Sequence, residues 1–195
     1  METPQQYEIT GLGLSSTKYT VEQTGQDKNF RPEYEARNIT GQTIFRCTYN
    51  TYEGETSFVD DDDNELLTIA PGGTLDIAGD YLLTDSQTGD DLVVLDNDFS
   101  FFQDTWRIHD AQDGSLVAKV TSGGGLITIA RKFLPVGQFI GHNFEIADAA
   151  GNSIGTIESD FAIRDQYEIK LSDSSSVPID PIVVATVVID TIQGN

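Results

Sequence analysis

Cysteine is nearly absent from this 195-residue chain: Cys47 is the only one. A single thiol excludes an intrachain disulfide and any cluster of cysteine metal ligands. Basic residues are scarce as well, 11 Lys and Arg against 32 Asp and Glu, for a formal net charge of -21. That balance disfavours duplex nucleic acid, whose binding rests on clustered Lys and Arg. No apolar run reaches the ~20 residues that cross a bilayer. The opening METPQQYEIT lacks the basic segment and apolar run of a signal peptide. These absences lead us to expect a soluble, cytoplasmic protein without a transmembrane segment. Histidine occurs twice, at 109 and 142, and no G-x-S-x-G nucleophile elbow is present.

What the chain does have is acid, spread along its whole length. An acidic tail would suggest an interaction arm or disorder. Carboxylates dispersed among alternating apolar residues suggest a folded protein with an acidic coat. The simplest explanation is a cytoplasm of very high salt, where like charges are screened within a few ångströms and carboxylates keep the surface hydrated. With five lysines and a surface rich in Asp, Glu, Thr and Gly, the composition is that of a protein from an extremely halophilic archaeon. An ordinary acidic protein with a basic partner is the alternative.

The length favours one domain. Its final stretch, VPIDPIVVATVVIDTIQGN from Val177 to Asn195, is apolar on nearly every side from Pro181 to Ile192, so it belongs in the middle of a domain. Asp180 at the N-cap, Pro181 at the first helical position and Gly194 as C-cap glycine favour a helix over 181–193. The β-branched content also suits a buried strand. Before it, strand patterns recur between turn signals, as in an all-β barrel or sandwich. Tyr7–Thr10, Lys18–Gln23, Tyr34–Asn38, Thr43–Tyr49 and Leu66–Ala70 are expected strands, with loops at Gln26–Pro32 and 172–180. Three units repeat an aromatic-led strand, a turn with Asp before Gly, and a second apolar strand. They begin at Tyr81, Trp106 and Phe144, with a fainter copy at Tyr34. Each is expected to be a hairpin with its aromatic and alternate aliphatics on one face.

The repeated hairpin, together with the ending Asp165-Gln166-Tyr167-Glu168-Ile169, a loop and an apolar segment carrying Ile189-Asp190, resembles the LURP-one-related proteins. These are similar to the phospholipid scramblases and the Tubby C-terminal domain. The resemblance spans about Tyr7 to Ile192 and is carried by pattern and order. It implies a closed antiparallel β-barrel of about twelve strands over 7–171, threaded by the C-terminal helix. It also implies a non-enzymatic binding or scaffold module with a protein partner. The runner-up is a peripheral phospholipid-binding or scramblase-like factor, at the membrane surface; an enzyme with a barrel-mouth pocket ranks last. For lipid, the adjacent basic residues Arg131 and Lys132 are the candidates.

Other motifs favour structural roles. Asp60, Asp61, Asp62, Asp63 and Asn64 start like an EF-hand loop, but Glu65 stands where Gly is required and Pro71 where Glu is. A solvated hairpin turn with weak, adventitious cation binding is expected there. GLGLSS at 11–16 precedes a strand pattern, not the helix a dinucleotide loop must open. The Gly123 triplet lacks a P-loop Lys-Ser or Lys-Thr. No cofactor is implied. His109 and His142 are expected to be ordinary structural histidines. Trp106 is expected to pack against the central helix. Asp190, a carboxylate within that helix, needs a partner at a barrel mouth or inside.

Overall fold

The computed structural model describes residues 4–29, 31–50, 55–71, 80–99, 104–123, 143–160, 166–172 and 177–193, and at 49, 50, 98, 99, 104, 160 and 190–193 the backbone only. The strands are β1 (Lys18–Gln26), β2 (Pro32–Asn38), β3 (Thr43–Asn50), β4 (Glu55–Val59), β5 (Glu65–Pro71), β6 (Asp80–Asp85), β7 (Asp91–Phe99), β8 (Asp104–Asp110), β9 (Leu116–Ser122), β10 (Asn143–Asp148), β11 (Ser153–Asp160) and β12 (Gln166–Leu171). Each pairs antiparallel with its sequence neighbour, and β12 returns to β1 with Tyr19 opposite Ile169 and Val21 opposite Tyr167. The result is a closed twelve-stranded barrel followed by α1 (Ile179–Gln193).

Alternation decides which way each strand faces. Tyr34 and Ala36, Trp106 and Ile108, and Phe144 and Ile146 are buried, while Glu35, Arg107 and Glu145 point outward with the opposite parity. The same parity puts the last residue of β2, β6, β8 and β10, and the residue just past β4, on the inner side of one rim. Asn38, Asp60, Asp85, Asp110 and Asp148 each fold the following turn onto their own side-chain oxygen. Asp60 Oδ1, for instance, accepts the N–H groups of Asp62 at 2.8 Å and Asn64 at 2.9 Å. Asp110 Oδ1 accepts those of Gln112 at 2.7 Å and Asp113 at 3.2 Å. Short polar side chains favour such turns because they supply the acceptor locally. The turns close on a left-handed residue, Gly41, Gly89, Gly114 and Gly151, with Asp63 (φ 64°) taking that place in the β4–β5 turn.

Barrel size explains the helix. Twelve strands ~4.8 Å apart and tilted ~40° enclose a backbone radius of about 12 Å. One layer of inward side chains leaves room for one helix of ~5–6 Å radius. Residues 177–189 are all buried, and they share one core with the inward residues of the strands. An apolar helix with no polar stripe is therefore what the lumen requires. Its two polar exceptions on the described face are satisfied: Thr186 Oγ1 donates to Ile182 O at 3.0 Å, and Asp180 accepts from elsewhere in the chain, as set out below. Trp106 is 1 % exposed and lies in this shared core beside Tyr81 (ring centroids 6.2 Å apart).

Three expectations need correcting. The helix begins at Ile179, with its first i→i−4 bond from Ile182 N to Pro178 O at 3.3 Å. Asp180 and Pro181 thus lie inside the first turn, not at the N-cap and first position. The first four N–H groups of a helix have no partner within it, so a proline fits at any of these positions and does not fix the boundary. Second, Tyr7–Thr10 is no strand: a 3-10 helix (Gln5–Tyr7) runs into a turn at Thr10. Its alternating apolar residues, Tyr7 and Ile9, are buried in the barrel core without joining a ladder. Third, Gln26 and Pro32 belong to strands, paired with each other; proline is tolerated as a strand's first residue. Gly124 and Gly125 of the glycine triplet, residues 173–176 of the expected loop and the C-cap candidate Gly194 lie outside the described residues.

Candidate functional site

The rim carrying the five Asx turns is also where the helix enters, because β12 ends there: Leu171 N donates to Thr17 O at 2.7 Å and Ser172 N to Ile154 O at 2.8 Å. Residues 4–16 lie across it. Between this segment and two turns is a cleft of about 330 Å³, lined by Gly11–Ser16, Tyr19, Asn38 and Gln42–Ile44 at the β2–β3 turn, and Asp60–Asp62. Ile39, 67 % exposed, stands in the same β2–β3 turn.

The acidic run at 60–63 is held by two devices. Asp60 makes the turn, and its hydrogen bonds from the Asn64 side chain and backbone lower its pKa. Arg46, on β3, reaches across with Nη2 2.9 Å from Asp63 Oδ1 and 3.1 Å from the carbonyl of Asp60. Asp61 and Asp62 are exposed and line the cleft. Among the described residues no three His, Cys, Asp or Glu side chains converge as a metal site. The cleft offers hydroxyls, backbone polar groups and two exposed carboxylates, which equip it to hydrogen-bond a polar partner.

At the back of the cleft and beneath it are two buried polar side chains, Tyr19 and Asp180, whose partners the sequence did not signal. Tyr19 is 1 % exposed, and its hydroxyl accepts the N–H of Ser16 at 2.6 Å. Burial pushes its phenol up to about 12, and the charge of Asp180 adds to that. Asp180, 0 % exposed, accepts the N–H of Ile9 at 3.0 Å. Nothing in the spacing of Ile9 and Asp180, 171 positions apart, could have paired them.

On the outer wall, Asp96 of β7 lies 3.4 Å from Arg107 Nη1 and 4.0 Å from His109 Nε2, both on β8. Asp80 is its register partner on β6; burial, then the charge of Asp96, raises the Asp80 pKa, with His109 opposing. His109 Nδ1 is 3.1 Å from the carbonyl of Gly114, which makes it a turn-fastening residue. Cys47 is buried in β3, and burial pushes its thiol far up, so it is a core side chain and not a nucleophile. Arg131, Lys132 and His142, and the side chain of Asp190, lie outside the described residues. No described helix is long and apolar enough to cross a membrane. No family model matches the chain, and no curated protein matches it.

Proposed function

We propose that this chain is a non-enzymatic binding or scaffold module of the LURP-one-related type, adapted to concentrated salt and working with a protein partner. The observation that carries this reading is the closed twelve-stranded barrel around a buried C-terminal helix, the architecture that the resemblance implies. With side chains and helix occupying the lumen, recognition falls to the outer wall and the rims. The cleft at the helix-entry rim is the candidate surface. A photo-crosslinking residue placed at Gln42, in the cleft wall, tests it in a high-salt extract. A discrete protein adduct, competed by unlabelled chain and lost from a control position at Lys119 on β9, the strand opposite β3 in the barrel, supports the reading. Absence of any competed adduct overturns it.

The second reading, a peripheral phospholipid binder, is favoured by the adjacent Arg131 and Lys132 in a chain otherwise poor in cations. Flotation with anionic and neutral vesicles in multimolar salt, with and without calcium, distinguishes the two. Selective flotation that is lost in Arg131→Glu/Lys132→Glu would place lipid binding first.

A further inference from the structure

Residues 4–16 belong to no strand of the barrel, yet they bury Tyr7, Ile9, Leu12 and Leu14 in its core. Instead of a ladder, their hydrogen bonds to the barrel and helix run to side chains. Tyr7 Oη donates to Asp110 Oδ2 at 3.1 Å, Ile9 N to Asp180 Oδ2 at 3.0 Å and Thr10 N to Asp85 Oδ2 at 2.7 Å. Ser16 N then donates to the buried Tyr19 hydroxyl at 2.6 Å. Between these anchors the backbone turns through left-handed glycines, Gly11 (φ 87°) and Gly13 (φ 56°), conformations that glycine adopts without steric cost.

We infer that residues 9–16 form a strap over the helix entrance that opens and closes as one unit, pinned at one end by Asp180 and at the other by Tyr19. Asp180 rides on α1 and Tyr19 on β1, so the strap is fastened to the two elements that meet at the entrance. A segment without a ladder, held by a few apolar side chains and isolated hydrogen bonds, opens at lower free energy than the strands beneath it. Bonds from backbone N–H to carboxylate are among the stronger ones, and a buried carboxylate that loses its donor is costly. Asp180 and Asp85, both buried and each accepting a strap amide, therefore hold the closed state together, and only Asp180 does so from the helix. Because Gly11–Ser16 forms one wall of the cleft, the seat of the helix sets the shape of the cleft. This last consequence, though not the strap itself, rests on the cleft being the binding surface.

Hydrogen exchange read by mass spectrometry on the full chain in concentrated KCl tests the strap without any partner, so its outcome is separate from that of the crosslinking. Amides of residues 9–16 are expected to exchange as a group and faster than those of β8. Asp180→Asn should speed the group at least about tenfold, the lower end for a hydrogen bond to a charged group, with β8 unchanged. Tyr19→Phe, which removes only the hydroxyl, should act in the same direction with a smaller factor, and gives the reading if Asp180→Asn does not fold. The inference is overturned if residues 9–16 exchange at the β8 rate in the natural sequence. Unchanged strap exchange in both variants, or failure of both to fold, overturns it as well.

Discussion

Asp85 does three things at once at the helix-entry rim. Its Oδ1 accepts the N–H groups of Gln87 and Thr88, its Oδ2 accepts that of Thr10, and it is 1 % exposed. Burial raises its pKa, but the three amides outweigh burial and leave it lowered. A carboxyl with a depressed folded pKa stabilises the fold above the ordinary Asp value of ~3.9 and loses that contribution as pH falls through the folded value. Asp60, Asp113 and Asp148 are lowered as well, each first by the side-chain hydrogen bond of its turn partner. In concentrated salt, where repulsion is screened, the urea midpoint should stay level from pH 7 to about 4.5 and drop below about 4. Asp85→Ala should cost about 3 kcal/mol at neutral pH and flatten the acid decline, both read from urea curves. Asp63 makes the opposite case. It holds a left-handed backbone where the equivalent turns carry Gly41 and Gly151, and its ion pair with Arg46 is exposed. Such a pair contributes little, so Asp63→Gly should raise Tm by about 2 °C in a thermal scan.

At the scale of elements, two close fits stand out. Gly155 on β11 lies against β12 so closely that an added Cβ would be 2.5 Å from the Lys170 carbonyl and 2.9 Å from Leu171 Cδ2. Backbone cannot yield there without disturbing the ladder, in which Gly155 faces Leu171. Gly155→Ala should cost about 2 kcal/mol, with lost exchange protection confined to β11 and β12. The helix is the larger fit. Ile182 is 0 % exposed, and Ile182→Ala should cost about 3 kcal/mol by leaving a cavity in the lumen. Deleting residues 177–195 removes the filling altogether. The expected product has no near-ultraviolet circular dichroism from Trp106 and no dispersed amide spectrum; a natively dispersed spectrum would show that the strands close without the helix.

At the scale of the molecule, charge and closure meet at one seam. Lys18 and Lys170 face each other across β1 and β12, and Glu168 lies 2.5 Å from one and 2.8 Å from the other, with Glu158 2.8 Å from Lys170. Arg37 continues the row to Glu22 and Glu35. These pairs are partly exposed and weak one by one; what they do is prevent the seam from adding to the repulsion of a chain at -21. Repulsion reaches ~10 Å at 0.1 M salt and ~3 Å at 1 M. The Tm should therefore climb steadily from 0.1 to 3 M KCl, and a Tm independent of KCl would sink the high-salt reading.

Much of this architecture was legible in the chain because it depends on local rules. Alternation in Tyr34–Asn38, Trp106–Asp110 and Phe144–Asp148 fixed strand and face, since successive strand residues point to opposite sides. Asx before glycine fixed the turns, since the side chain supplies the acceptor within a few residues. The all-round apolar stretch after Pro181 required a surrounding wall. Tertiary structure alone decided what depends on distant segments meeting. It turned Tyr7–Thr10 from an apparent strand into a segment outside the sheet, gave Asp180 the amide of Ile9, and brought Arg46 to Asp63. No local pattern encodes these, because a carboxylate buried at a barrel mouth takes whichever donor the closed fold delivers to it.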